Sequence, residues 1–210
     1  MQKLSCSKGI SHMNRGIFIV LEGIDGAGTT THVQLLADWL EKQGKAVLVT
    51  QEPTKRQIGT LLRTFLTTNE TSAEVDALLF AADRLDHLES TVRPALEEKK
   101  IVICDRYRES SITYQTAAGL PMDWLLNVNK FAEEPDITII LDISPKIGLS
   151  RKEKVGDKFE NEEFLKKVRS LYLERAKERK YPIIRTDGAI EMVHLHLRKL
   201  VQPILVSNKL

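Results

Sequence analysis

Short apolar runs in this chain alternate with longer stretches whose apolar residues recur every three or four positions. The short runs read as strands buried on both faces and the longer stretches as amphipathic helices, an alternation that predicts βαβ units around a parallel sheet. Strands are expected at 17–22, 46–50, 101–104, 137–141 and 183–185. Helices are expected at 30–43, 58–67, 74–98, 110–118, 122–132, 164–177 and 189–200. No repeat, low-complexity tract or linker interrupts this pattern, so residues 15–210 read as one domain, preceded by a polar N-terminal extension at 1–14 expected to be frayed. The charged segment 150–160, with Gly156 inside it, follows a strand end and is expected to form a short lid.

Size and composition narrow the class. A chain of 210 residues suits one α/β domain with a sizeable core. Its formal net charge of +2 is too small for a general nucleic-acid binder, so no nucleic-acid polymer is expected as a partner and phosphate chemistry must come from local clusters. No apolar run reaches the roughly 18 residues of a membrane span. The first residues lack the apolar centre of a secretory signal, so a reducing cytoplasm is the expected location. Of the two cysteines, Cys6 and Cys104, the second lies in an apolar run and reads as a buried thiol; their spacing fits neither a disulfide framework nor a zinc site.

The first strand runs into Gly23-Ile24-Asp25-Gly26-Ala27-Gly28-Thr29-Thr30-Thr31 and then a helix. Glycines there let the backbone turn N–H groups onto a phosphate at a helix N-terminus. The pattern G-x-x-x-x-G-K-[ST] is complete except for its lysine, whose place Thr29 takes, while Thr30 stands where a hydroxyl coordinates Mg²⁺. A plain helix-capping turn is the bland alternative, and the strand–loop–helix context argues against it. The third strand delivers Asp105 and Arg106 to the sheet's carboxyl edge, where ligands of open α/β folds bind. Asp105 is placed to hold Mg²⁺ or its waters, and Arg106 to clamp phosphate oxygens with its planar fork. Phe80, Arg84 and His87 share one helix face at i, i+4 and i+7, pairing a ring with a guanidinium as a base-recognition surface; Phe80 or His87 alone would read as packing. His194 and His196 point to different helix faces and read as surface residues, and the basic stretch 166–180 as a solvated face.

With the stretches FIVLEGIDGAGTTT, TQEP, LLFAADRLDH, DRYRESSITYQ, LDISPKIGLSR and DKFE, the chain resembles the thymidylate kinase family of P-loop nucleoside monophosphate kinases over nearly its whole length after residue 14. The resemblance implies a three-layer P-loop fold, a five-stranded parallel sheet flanked by helices, normally as a homodimer. It implies transfer of the ATP γ-phosphate to dTMP with Mg²⁺, a step toward dTTP. It further implies that Phe80 stacks on thymine, Arg84 hydrogen-bonds its edge and Arg106 holds the acceptor phosphate. Asp25 would sit near the sugar 3′-hydroxyl, Ser110, Tyr114 and Gln115 would line the pocket, and Glu52 matches the acid of the family's R-E-P stretch. Gly26 follows Asp25, so the chain resembles members whose assisting cations come from the lid, which makes Arg151 and Lys154 the catalytic candidates beside Arg106. Three positions depart from the family: Thr29 for the loop lysine, Gln51 for arginine before Glu52, and Lys158 for the arginine of D-R-F-E. A kinase for another deoxynucleoside monophosphate, and a P-loop binder with weak or no kinase activity, stay open at this point.

Overall fold

The computed structural model describes residues 15–68, 70–151 and 161–207. Five parallel strands form one sheet in the order β2-β3-β1-β4-β5. These are β1 (Ile17–Gly23), β2 (Val47–Gln51), β3 (Ile101–Asp105), β4 (Ile137–Asp142) and β5 (Ile183–Arg185). Nine helices are described: α1 (Thr29–Glu41), α2 (Gln57–Thr68), α3 (Ala73–His87), α4 (Arg93–Glu97), α5 (Arg108–Ala117), α6 (Met122–Val128), α7 (Pro145–Ser150), α8 (Glu162–Arg179) and α9 (Ile190–Ser207). The architecture is therefore the expected α/β one.

Successive side chains of β1 point to opposite faces and split the core in two. Ile17, Ile19 and Leu21 pack with Val33, Leu36 and Leu40 of α1, Leu165 and Val168 of α8, and Leu197 and Val201 of α9. Phe18 and Val20 pack on the other face with Leu88, Val92, Leu96 and Val102. Cys104 is a free thiol within that second cluster, and burial pushes its pKa well up. Because all strands run parallel, their carboxyl ends bring Gly23, Gln51, Asp105 and Asp142 to one edge of the sheet.

Four expectations are corrected. The helix expected at 74–98 is three pieces: α3, a π-helical turn at Leu88–Val92, and α4. Pro94 has no N–H and its ring collides with the carbonyl four residues back, so the wider turn precedes it and Pro94 sits in the first turn of α4. Helix α6 stops at Val128 rather than 132, because Asn129 leaves the helix and spends its side chain on Arg84 and the Leu125 carbonyl. Helix α9 continues past 200 through Pro203, held by buried Val201 and Leu205. The basic stretch 166–180 is not wholly solvated, since Arg175 is buried and grips Glu109 with two hydrogen bonds at 2.9 and 3.2 Å. Helix α7, implied only by the resemblance, opens on Ser144, whose hydroxyl accepts from Ile147 N–H, followed by Pro145 in its first turn.

Candidate active site

The loop from Gly23 to Thr29 links β1 to α1, and its two later glycines carry the turn: Gly26 has φ +78° and Gly28, the N-cap of α1, φ +86°. A side chain at Gly26 would in addition come within 2.1 Å of the Gly148 carbonyl of α7, so the loop is seated against that helix. Asp25, Gly26, Gly28, Thr29, Thr30, Thr31, Arg106 and Arg151 face a cleft of about 490 Å³ in front of the helix N-terminus. Ile24 and Ala27 are buried instead and anchor the loop to the core.

Thr30 donates its hydroxyl to Asp105 Oδ2 at 2.5 Å, joining the first turn of α1 to the end of β3. Asp105 Oδ1 is buried without a hydrogen-bond partner among the described residues. A hydroxyl and an unspent carboxylate oxygen side by side fit Mg²⁺, which takes few protein ligands and fills its octahedron with phosphate oxygens and water.

Glu22 is the residue sequence reasoning missed. It is fully buried at the end of β1 and accepts from Tyr107 N–H (2.9 Å), Ser110 N–H (3.2 Å), Ser110 Oγ (2.6 Å) and Tyr172 Oη (3.1 Å). Burial raises its pKa above the usual 4.5. These bonds fold the segment after β3 into a sharp corner, at which Arg106 takes φ +67°, a left-handed conformation that costs a side-chain-bearing residue energy. From that corner Arg106 Nη1 donates to Gly23 O at 2.7 Å and Nη2 to Asp25 Oδ1 at 2.5 Å, with the guanidinium 5.6 Å from the Tyr114 ring centre.

Asp25 and Arg106 also line a second cavity with Glu52, Pro53, Leu66, Phe80, Arg84, Tyr107, Ser110 and Tyr114. Phe80 is half-buried and belongs to none of the core clusters, so its ring is available to a ligand. Arg84 is buried and held by Glu52 (Nε, 2.8 Å), Asn129, the Tyr107 carbonyl (3.1 Å) and Ser111 (2.8 Å). A guanidinium has five N–H donors. Four are spent, which leaves one on Nη1 without a hydrogen-bond partner among the described residues, on a side chain that lines the cavity. Gln115 is not among the residues facing it: one position beyond Tyr114 on α5, it turns away by about 100°. Its amide is buried without a partner among the described residues.

Arg151 closes α7 and donates to Gly26 O at 3.2 Å and Thr186 O at 2.8 Å, so it lies along the loop cleft. Lys154, Lys158 and most of the expected lid lie outside the described residues, as do positions 1–14. His194 is half-buried and His196 exposed.

A glycine loop between a buried strand and a helix, a hydroxyl–carboxylate pair beside it, and an adjoining cavity walled by a ring and two arginines define a P-loop nucleotide-binding protein. The thymidylate kinase family model matches residues 21–197. A probable thymidylate kinase of Pyrococcus abyssi is 43% identical over 198 residues, covering 90% of this chain and 97% of its own. Those of Pyrococcus horikoshii and Thermococcus gammatolerans are 44% identical over 200 residues and 41% over 208, covering 90% and 92% of this chain and 97% and 99% of theirs. The chain belongs to the thymidylate kinase family.

Proposed function

We propose that this protein transfers the γ-phosphate of ATP to dTMP, yielding dTDP and ADP. The observation that carries the reading is the Asp25–Arg106 pair, which belongs to both the phosphate-loop cleft and the ring-lined cavity. Two nucleotides bound on either side would bring their phosphates together there. An acceptor-phosphate oxygen then attacks the γ-phosphorus, the new P–O bond forms, the β–γ bridging bond breaks, and ADP leaves with its electron pair.

The protein's part is positioning and charge stabilisation. Loop N–H groups hold the donor phosphates in place of a lysine, and Arg106 orients the acceptor phosphate. Bound between Thr30 and Asp105, Mg²⁺ would neutralise charge on the donor phosphates. Phe80 stacks on the base. The one free Arg84 N–H donates to a carbonyl at the base edge, which suits thymine and disfavours cytosine, whose amino group presents a second donor. Tyr114 stands against the sugar, where it excludes a 2′-hydroxyl. A pure ATP binder would need no such second cavity, which is why the kinase is preferred over the binder.

We place the reaction in the cytoplasm, where a buried free thiol at Cys104 persists. No helix among the described residues is long and apolar enough to cross a membrane. A homodimer is supported by exposed Val75, Leu78 and Leu85 along one face of α3 and exposed Leu61 on α2. Incubation with ATP, Mg²⁺ and dTMP, with chromatography of the products, tests the reading: equal amounts of dTDP and ADP are expected, and ADP without dTDP contradicts it.

A further inference from the structure

We propose that His87 is a positioning residue for Arg84, acting through Glu52; this rests on the acceptor-cavity reading above. His87 ends α3 and is 1% exposed. Its Nδ1 lies 3.0 Å from Glu52 Oε1, and its Nε2 lies 2.6 Å from Thr50 Oγ1. The other carboxylate oxygen, Glu52 Oε2, accepts from Arg84 Nε at 2.8 Å. Thr50, His87, Glu52 and Arg84 thus form an unbroken chain from the end of β2 to the wall of the acceptor cavity.

The helix spacing explains the arrangement. Arg84 and His87 are three residues apart on α3, so they lie on one face about one turn from each other. The two side chains clamp opposite oxygens of a single carboxylate. Glu52 as a carboxylate only accepts, so Nδ1 carries the hydrogen, and the Thr50 hydroxyl fixes the ring from its far side. Without His87, Glu52 keeps one partner and one orphaned buried oxygen, and its carboxylate can rotate. The Nε anchor of Arg84 then loosens, and with it the direction of the single N–H left for the base. His87 itself is absent from the cavity wall, so its effect on the base passes through Glu52.

Two amide substitutions separate the legs. His87→Asn puts its amide nitrogen near the Nδ1 position and keeps the bond to Glu52; His87→Gln reaches toward Thr50 and loses it. Steady-state kinetics, calorimetric dTMP binding without ATP, and thermal midpoints are measured for both. His87→Gln is expected to raise the KM and Kd for dTMP about tenfold, as loss of a hydrogen bond to a buried charge does, with kcat and the ATP KM within about twofold. It should also shrink the preference for dTMP over dCMP. His87→Asn should stay within about threefold of wild type. Thr50→Val, at the half-buried edge strand, should raise the dTMP KM by about threefold and serves if neither His87 variant folds. Equal thermal destabilisation by both His87 variants with dTMP binding unchanged overturns the proposal, leaving His87 as packing. Wild-type protein that binds no dTMP overturns the acceptor reading, and the proposal with it.

Discussion

Asp25 Oδ1 and Arg106 Nη2 meet at 2.5 Å at the boundary between two cavities. One partner comes from the loop after β1, the other from the corner after β3, so the pair exists only because the sheet sets these strands side by side. Each group also keeps the other where phosphates would meet: the carboxylate orients the guanidinium, whose second nitrogen is fixed by the Gly23 carbonyl.

Arg106→Ala removes the planar fork from the acceptor phosphate. The expected loss in kcat/KM for dTMP is about 10- to 150-fold, the range for a charge-assisted hydrogen bond left unmade, with the ATP KM changed only slightly. Equal losses toward both nucleotides would instead indicate a collapsed loop.

Phe80 is half-buried beside Arg84 and outside the core clusters, so its truncation should report on binding and not on folding. Phe80→Ala is expected to weaken dTMP binding by about 1–3 kcal/mol while the thermal midpoint stays nearly constant. An earlier melt with unchanged dTMP kinetics would assign the ring to packing.

Glu22 supplies a pH test. Burial raises its native pKa above 4.5, so between that value and the raised one the folded chain holds a proton that the unfolded chain has released. Stability contributed by this group therefore falls as pH rises through that window, and the cost is complete above it. Glu22→Gln removes the slope, but its amide has one accepting oxygen for the four donors that converge on the carboxylate. At neutral pH the variant should be about 1–3 kcal/mol less stable and turn over poorly. Denaturant unfolding from about pH 4.5 to pH 8 should show the wild-type advantage shrinking as pH rises toward neutrality. A pH-independent difference contradicts the buried-carboxylate assignment.

The strands were legible to within one residue because buried β segments leave continuous apolar runs, as 17–21 and 101–104 do. The phosphate loop was legible because glycine spacing records backbone geometry. What composition and periodicity hid were polar residues inside apolar surroundings: Glu22 within a strand, Asn129 at a helix end, Arg175 in a basic stretch. Their partners, Tyr107 and Ser110, Arg84, and Glu109, are remote in the chain, so only the fold reveals the pairing. The break after His87 was marked by Pro94, whose effect falls several residues upstream.

Thr29 leaves the loop without its lysine, and Arg151 is the cation described along the same cleft that is bonded to main-chain carbonyls instead of an acid. Arg151→Ala should lower kcat about tenfold or more while dTMP binding survives, since charge on the transferring phosphoryl group is then less compensated. Thr29→Lys should restore part of that loss in the double variant. Additive effects without rescue would mean that the two positions do not serve the same charge.

On this reading the second cavity selects dTMP as acceptor. The direct test is kcat/KM with ATP and Mg²⁺ across dTMP, dUMP, dCMP, UMP and GMP, with all five measured on the same wild-type preparation. Transfer to dTMP is predicted to exceed the others, dCMP to be rejected by the Arg84 donor, and UMP by the 2′-hydroxyl. Equal transfer to dCMP, or preference for a ribonucleotide, would contradict the assignment of Phe80, Arg84 and Tyr114 to base and sugar.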